Sequence, residues 1–61
     1  MSYYRLWLLD REGHVLHMRE RHCDRGKLAV IATDILNAAE PYIVAVEVWD
    51  GTGRIDRIER G

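Results

Sequence analysis

The sequence predicts a two-layer α+β domain in which a single helix packs on one face of a mostly antiparallel sheet. Three observations lead to this fold class. The chain has 61 residues, which is enough for one domain over residues 1–61. Two turn signals rich in Asp and Gly are each flanked by strand-forming runs. One amphipathic segment lies between these two hairpins, so the expected element order is β-β-α-β-β.

The first hairpin is predicted from residues 3–9, which are rich in aromatic and branched side chains. Residues 10–13, Asp-Arg-Glu-Gly, form a turn signal with Asp at its first position. Gly13 stands where a positive φ is expected. Residues 14–21 are predicted to be the returning strand.

The helix is predicted over about residues 25–39. Asp24 is expected to cap it through its carboxylate, and Pro41 ends it. One half of the helical wheel is apolar, and its members are Leu28, Ile31, Ala32, Ile35, Leu36, Ala38 and Ala39. Val30 is the one apolar residue on the other half. This stripe predicts a helix that lies against the sheet.

The second hairpin begins with residues 42–49, whose alternation is the clearest strand pattern in the chain. Residues 50–53 contain two glycines and form a turn signal. In the tail, residues 54–60, Ile55 and Ile58 are three positions apart, which indicates a short edge strand with a bulge. A parallel pairing of the first and third strands through the helical crossover gives the strand order 2-1-3-4, although other orders are allowed.

A single helix covers only one face of such a sheet. The face under it is expected to hold Tyr4, Leu6, Leu8, Leu16, Met18, Tyr42, Val44, Val46 and Val48. The open face is expected to hold Tyr3, Arg5, Trp7, Leu9, Val15, His17, Arg19, Arg21, Ala45, Glu47 and Trp49. A shift of one residue in any strand reverses its two sets, so each assignment depends on an unbroken period of two.

Charge and composition restrict the classes of partner. Nine basic and ten acidic residues give a formal net charge of −1, which argues against general attraction to nucleic acid or to anionic membranes. No apolar run approaches the roughly 20 residues of a membrane span. The amino end lacks the pattern of a secretory signal, and Cys23, the one cysteine, has no partner for an intrachain disulfide. These features favour the cytoplasm.

Both tryptophans fall on the expected open face, beside arginines. Aromatic residues next to arginine are typical of protein interfaces. We therefore expect association with a second copy, as a homodimer, or with another protein. The residues expected to form this interface are Tyr3, Arg5, Trp7, His17, Arg19 and Trp49. In the alternative interpretation, Arg and Tyr stems cover the tryptophans within a monomer.

A nucleic-acid-binding module is the second hypothesis, because sheets with exposed aromatics and arginines bind single-stranded RNA or DNA. It uses the same surface together with Arg21. The net charge of −1 and the position of Glu47 in the middle of the face weigh against it.

The sequence offers no convincing catalytic, cofactor or metal site. His14, His17, His22 and Cys23 are the tempting cluster, but His14 and His17 point to opposite faces of a strand and His22 and Cys23 are adjacent. Cys23 has no evident orienting group for a thiolate nucleophile. A metal- or thiol-dependent catalyst is therefore the least favoured alternative.

The chain resembles a group of short bacterial proteins of unassigned activity. Their pattern is a YRLxLLDxxGxI-like hairpin, an acidic helix start and a VEVWxGxxR-like strand and turn. The matching segments here are Tyr4-Arg5-Leu6-Trp7-Leu8-Leu9-Asp10, Gly13-His14-Val15 and Val46-Glu47-Val48-Trp49-Asp50-Gly51. The chain departs at the helix start, where it has Arg25-Gly26-Lys27. The resemblance implies a bacterial cytoplasmic protein with β-β-α-β-β order and carries no activity.

Overall fold

The computed structural model describes residues 2–60, so the first and last residues of the predicted domain lie outside the described part. The elements are β1 (Ser2–Leu9), β2 (Val15–Cys23), a 3₁₀ turn (Arg25–Lys27), α1 (Leu28–Ala38), β3 (Ala45–Trp49) and β4 (Arg54–Glu59). The β-β-α-β-β order and the two-layer α+β fold are confirmed.

The strands form one sheet in the order β2-β1-β3-β4. Every neighbouring pair is antiparallel. The order 2-1-3-4 is therefore correct, but the parallel pairing of β1 with β3 is wrong. The tight hairpin reverses the chain between β1 and β2, and α1 then returns it to the end of the sheet where β2 began. As a result β3 runs in the direction of β2, which is opposite to β1.

The core lies between α1 and one face of the sheet. Its buried members are Tyr4, Leu6, Leu8, Leu28, Ala32, Leu36, Ile43, Val46 and Val48. Ile31 and Ile35 are partly buried against this cluster. The predicted apolar stripe of the helix is confirmed apart from Ala38, which is exposed, and Val30 lies outside the stripe as expected. The helix packs on β3 and β4, and its buried residues share the core with those of β1.

The helix begins differently from the prediction. Asp24 has an extended backbone, but its side chain makes no capping hydrogen bond. A 3₁₀ turn precedes α1, and the backbone N–H of Lys27 donates to the carbonyl oxygen of Asp24 at 3.0 Å. The prediction of a carboxylate cap is therefore wrong, because the backbone carbonyl of Asp24 is the acceptor at this helix start.

The third strand begins at Ala45, three residues later than predicted. Residues 41–42 form a turn, and the N–H of Ile43 donates to the carbonyl of Glu40 at 2.9 Å. The alternation therefore does not extend to these positions. Tyr42, which was expected in the core, is 55% exposed, whereas Ile43 is fully buried.

The last strand contains the predicted bulge. The register between β3 and β4 shifts between Val48, which lies opposite Asp56, and Trp49, which lies opposite Arg54. Ile55 is the extra residue of this irregularity. Both Ile55 and Ile58 are partly buried against the core, so the bulge explains why two core contacts are three positions apart.

The second strand lies outside the core. Each of its residues is exposed except Cys23, which is partly buried. Leu16 and Met18, which were predicted to be core residues, are 42% and 60% exposed. Those two predictions are wrong. Because the core under α1 extends from β4 to β1, β2 is an edge strand with both faces accessible.

Candidate association surface

The sheet face opposite α1, called the open face below, is defined by the strand register. Directly opposed residues of antiparallel strands point to the same side of a sheet. The open face is therefore formed by Tyr3, Arg5, Trp7 and Leu9 of β1, Val15, Met18, Glu20 and His22 of β2, Ala45, Glu47 and Trp49 of β3, and Arg54, Arg57 and Glu59 of β4.

Two of the predicted interface residues lie on the other side of the sheet. His17 is opposite Leu8 and Arg19 is opposite Leu6, so both share the face of the core. The same holds for Arg21, which is opposite Tyr4. The cause is a register shift at the Leu8/Leu9 step, where β2 contains one extra residue and its two faces exchange. The sequence carries no clear signal for this bulge.

The remaining predicted interface residues, Tyr3, Arg5, Trp7 and Trp49, do share the open face. Trp7 and Trp49 are diagonal neighbours on β1 and β3 and stack with their ring centroids 4.5 Å apart at 25°. Each is half-buried. The indole N–H of Trp7 is buried and has no acceptor among residues 2–60. The two rings thus shield one another and form an ordered aromatic centre.

Glu47 lies beside this centre and is only 8% exposed. Its Oε2 accepts hydrogen bonds from Nη1 of Arg54 at 3.0 Å and Nη1 of Arg57 at 2.5 Å. Its Oε1 accepts from the Trp49 indole N–H at 3.3 Å. The carboxylate therefore holds the β4 arginines and one tryptophan in place.

The pKa of Glu47 reflects two opposing effects. Burial is the largest single effect and raises the pKa, but the hydrogen bonds from Arg57, Arg54 and Trp49 together lower it below the ordinary value of 4.5. The hydrogen bond to Glu47 in turn raises the pKa of Arg57. At neutral pH the ionised Glu47 is shared by two arginines, and Arg57 also pairs with Glu59 at 3.3 Å. The β4 half of the open face therefore carries both signs of charge in close proximity.

The β1–β2 half of the open face has a different character. Arg5 and Glu20 are opposite one another in the register, yet in the described chain neither side chain forms an ion pair within 4.0 Å. Tyr3 is 70% exposed and stacks on His22 with centroids 4.3 Å apart. Met18 is also exposed. This half therefore combines exposed apolar groups with charges that lack partners.

A third cluster, missed by the sequence analysis, lies in the first hairpin turn. Ligand-type atoms of Asp10, Glu12 and His14 lie within 4.8 Å of one another. Oδ1 of Asp10 accepts from the backbone N–H groups of Glu12 and His14, each at 2.9 Å. The His14 backbone hydrogen bond is also the main cause of a lowered pKa at Asp10. These bonds belong to an Asp-initiated turn, in which Gly13 has a φ of 85°.

The histidines and cysteine considered together in the sequence are separated by the fold. His17 is on the face of the core, whereas His22 is on the open face. His14 takes part in the turn contacts of Asp10. The spacing of Asp10, Glu12 and His14, with one residue between successive members in a tight turn, is the signal that predicts their proximity.

Comparison with known proteins yields no relative: no family model, curated protein or solved structure matches the chain. The resemblance to short bacterial proteins therefore stays a prediction. Within residues 2–60, no helix has the length and apolar character needed to span a bilayer.

Proposed function

We propose that the protein is a non-enzymatic association module that pairs with a second copy of itself through its open face. The observation that carries the proposal is the Trp7–Trp49 stack, which lies half-exposed on the sheet face opposite α1. Large aromatic side chains beside an arginine, here Arg5, are the usual anchors of protein interfaces.

A second copy is the favoured partner for reasons of size and charge. Domains of about 60 residues bury only about 60% of their unfolded surface, and oligomerisation commonly compensates. Of the arginines on the open face, Arg54 and Arg57 share the single charge of Glu47, and Arg57 also pairs with Glu59. That arrangement suits a protein surface of mixed charge better than a phosphate backbone.

Nucleic-acid binding is less well supported by this geometry. The tryptophans stack on each other rather than standing apart to receive a base. Arg19 and Arg21, which the hypothesis required beside them, are on the face of the core. Nucleic acid is nevertheless an outcome that the experiment below distinguishes.

Action by binding alone fits the state of the ionisable groups. Glu47 is the one buried carboxylate among residues 2–60. It accepts hydrogen bonds from three donors, an arrangement that holds it ionised rather than one that lets it exchange a proton with a substrate. The Asp10–His14 cluster is at an exposed turn rather than in a cleft. We propose a bacterial cytoplasmic setting, supported by the family resemblance and by the single cysteine.

The test is light scattering on a size-exclusion column over a range of concentrations, with absorbance at two wavelengths to detect bound nucleic acid. The wild type is expected to reach twice its monomer mass of 7.1 kDa. Trp49→Ala is expected to shift the equilibrium towards monomer. Tyr42→Ala is the matched control, because Tyr42 is an exposed aromatic outside the open face.

A monomer at every concentration, with or without co-eluting nucleic acid, would contradict self-association. A dimer that Trp7→Ala and Trp49→Ala leave intact would contradict the open face as its interface. Circular dichroism of each variant separates loss of folding from loss of association.

A further inference from the structure

We infer that the two copies pack open face to open face about a twofold axis parallel to the strands and located between β1 and β3. In this arrangement Glu20 meets the partner's Arg54, and Arg5 meets the partner's Trp49. The inference rests on the proposed self-association and specifies its geometry.

The open face is an array whose rows cross the sheet. One row contains Glu20, Arg5, Trp49 and Arg54, in the order β2, β1, β3, β4. Rotation by a half-turn about the stated axis exchanges β1 with β3 and β2 with β4, and it keeps each row at the same height. The row therefore lies over its own copy in reverse order, which fixes its partners across the interface.

This reversal gives a self-complementary row. Glu20, which has no ion pair within the described chain, lies against the partner's Arg54. Arg5, which also has none, lies against the partner's Trp49, and an arginine over an indole ring is a favourable cation–π contact. Because the axis is twofold, each contact occurs twice.

The surface has space at this position. Arg5, Glu20 and Trp49 line a groove of about 470 Å³ that also borders Asp50 and Gly51. The partner's Arg54 comes from the strand that follows the same turn in the other copy. Facing sheets pack about 10 Å apart, so a long side chain such as arginine spans the remaining gap.

Two other twofold arrangements are disfavoured by charge. An axis that lies across the strands, between the row of Arg54 and the row of Arg57, places each strand over its own copy, so that Arg54 approaches the partner's Arg57. Pairing β2 edge to edge about its central residue places Arg19 opposite the partner's Arg19. Like charges in direct opposition destabilise both arrangements, whereas the axis parallel to the strands places Glu20 opposite the partner's Arg54.

The experiment is a charge-reversal cycle on the dimer dissociation constant, measured by sedimentation equilibrium with the full chain. Glu20→Arg is expected to weaken the dimer by about tenfold or more, because it opposes two arginines. In an Arg54→Glu background the same Glu20→Arg change is expected to strengthen the dimer. Comparison within one background removes the separate effect of placing a second carboxylate near Glu47.

A second background, Arg54→Gln, controls for structural effects of changing Arg54, because Arg54 also donates a hydrogen bond to Glu47. In Arg54→Gln the charge partner is absent, so Glu20→Arg is expected to have little effect on dissociation. The control is Asp34→Arg, an identical charge change at an exposed helix position, which is expected to leave the dissociation constant unchanged.

The outcomes separate the two proposals. A wild type that never dimerises contradicts the proposed function itself. A dimer that Glu20→Arg weakens equally in all backgrounds, or does not weaken at all, overturns only this packing. A loss of the same size with Asp34→Arg assigns the effect to net charge and also overturns it.

Discussion

Two strands of the same sheet show how the position of one helix determines which strands are buried. β3 has five residues, of which four are buried. β2 has nine residues, of which none is buried. An 11-residue helix is about 16 Å long and about 10 Å wide, and strands are spaced about 4.8 Å apart. Such a helix covers only part of a four-stranded sheet: α1 packs on β3 and β4, its buried residues share the core with β1, and β2 is left exposed.

The largest expected effect is a direct comparison of these two environments. Leu6→Ala removes a fully buried side chain and is expected to lower the free energy of unfolding by about 2–5 kcal/mol. Met18→Ala, on the exposed strand, is expected to change it by less than about 0.5 kcal/mol. Urea unfolding at low protein concentration measures both. Equal losses would show that β2 belongs to the core.

This contrast also explains which strands were predictable. In β1 and β3 one face packs against the helix, so Leu6, Val46 and Val48 had to be apolar and had to recur at every second position. In β2 both faces are wet, so burial did not constrain the pattern. His17 and Arg19 were therefore assigned to the wrong face, and the extra residue at the register shift had no composition signal.

The helix and the last strand show the same limit. The apolar stripe of α1 was correctly predicted because it must be buried. The spacing of Ile55 and Ile58 predicted a bulge for the same reason. By contrast, the role of Asp24 depended on which of two nearby oxygens accepts one hydrogen bond, and sequence composition does not determine that choice. The stacking of Trp7 on Trp49 and the hydrogen bonds of Glu47 could not be predicted from the sequence, because they depend on the register of the strands.

The second prediction concerns Glu47, the one buried ionisable residue identified on the open face of residues 2–60. Glu47→Gln keeps the shape but removes the charge that Arg54 and Arg57 share. We expect a loss of about 1–3 kcal/mol in the free energy of unfolding at neutral pH, since hydrogen bonds to charged groups contribute about this much. Urea unfolding is the measurement, and a gain in stability would contradict the role assigned to this carboxylate.

The pH dependence of the free energy of unfolding also tests the contribution of Glu47. The pKa of Glu47 is lower in the folded protein than its ordinary value of 4.5, so its contribution is present above that value and is lost as the pH falls through the folded pKa. Asp10 and Asp50 also have lowered pKa values, chiefly through hydrogen bonds from His14 and Thr52. We therefore expect the wild type to lose stability below about pH 4.5.

The variant Glu47→Gln isolates the buried carboxylate from the two exposed ones. Its acid-induced loss of stability is expected to be smaller than that of the wild type, because only the aspartates remain. Urea midpoints at neutral pH and at about pH 3 give this comparison. Equal losses of stability in the wild type and the variant would show that Glu47 does not contribute to the acid-induced loss.

A smaller effect is expected at the end of the helix. The Arg60 guanidinium donates to the carbonyl oxygens of Leu36 at 2.8 Å and Ile43 at 2.9 Å, so it closes the last turn of α1 against β4. Arg60→Met keeps most of the stem and is expected to lower the free energy of unfolding by about 1–2 kcal/mol. The control Arg11→Met, at the exposed hairpin turn, is expected to be neutral, and equal effects would contradict this contact.

The smallest effect is expected at Asp24. Loss of a true capping side chain typically lowers stability by about 1 kcal/mol. Because the Asp24 carboxylate makes no capping bond, Asp24→Ala is expected to change the free energy of unfolding by less than about 0.5 kcal/mol. A loss of the full capping value would show that the side chain caps the helix in solution.

The most direct test of the central claim is a dilution series followed by backbone amide NMR shifts. The open-face account predicts concentration-dependent shifts at Arg5, Trp7, Glu47 and Trp49, including the Trp49 indole N–H. It predicts constant shifts at Val30 and Asp34 on the outer side of α1. Shifts confined to the helix, or none at any residue over a concentration range in which the mass doubles, would contradict it.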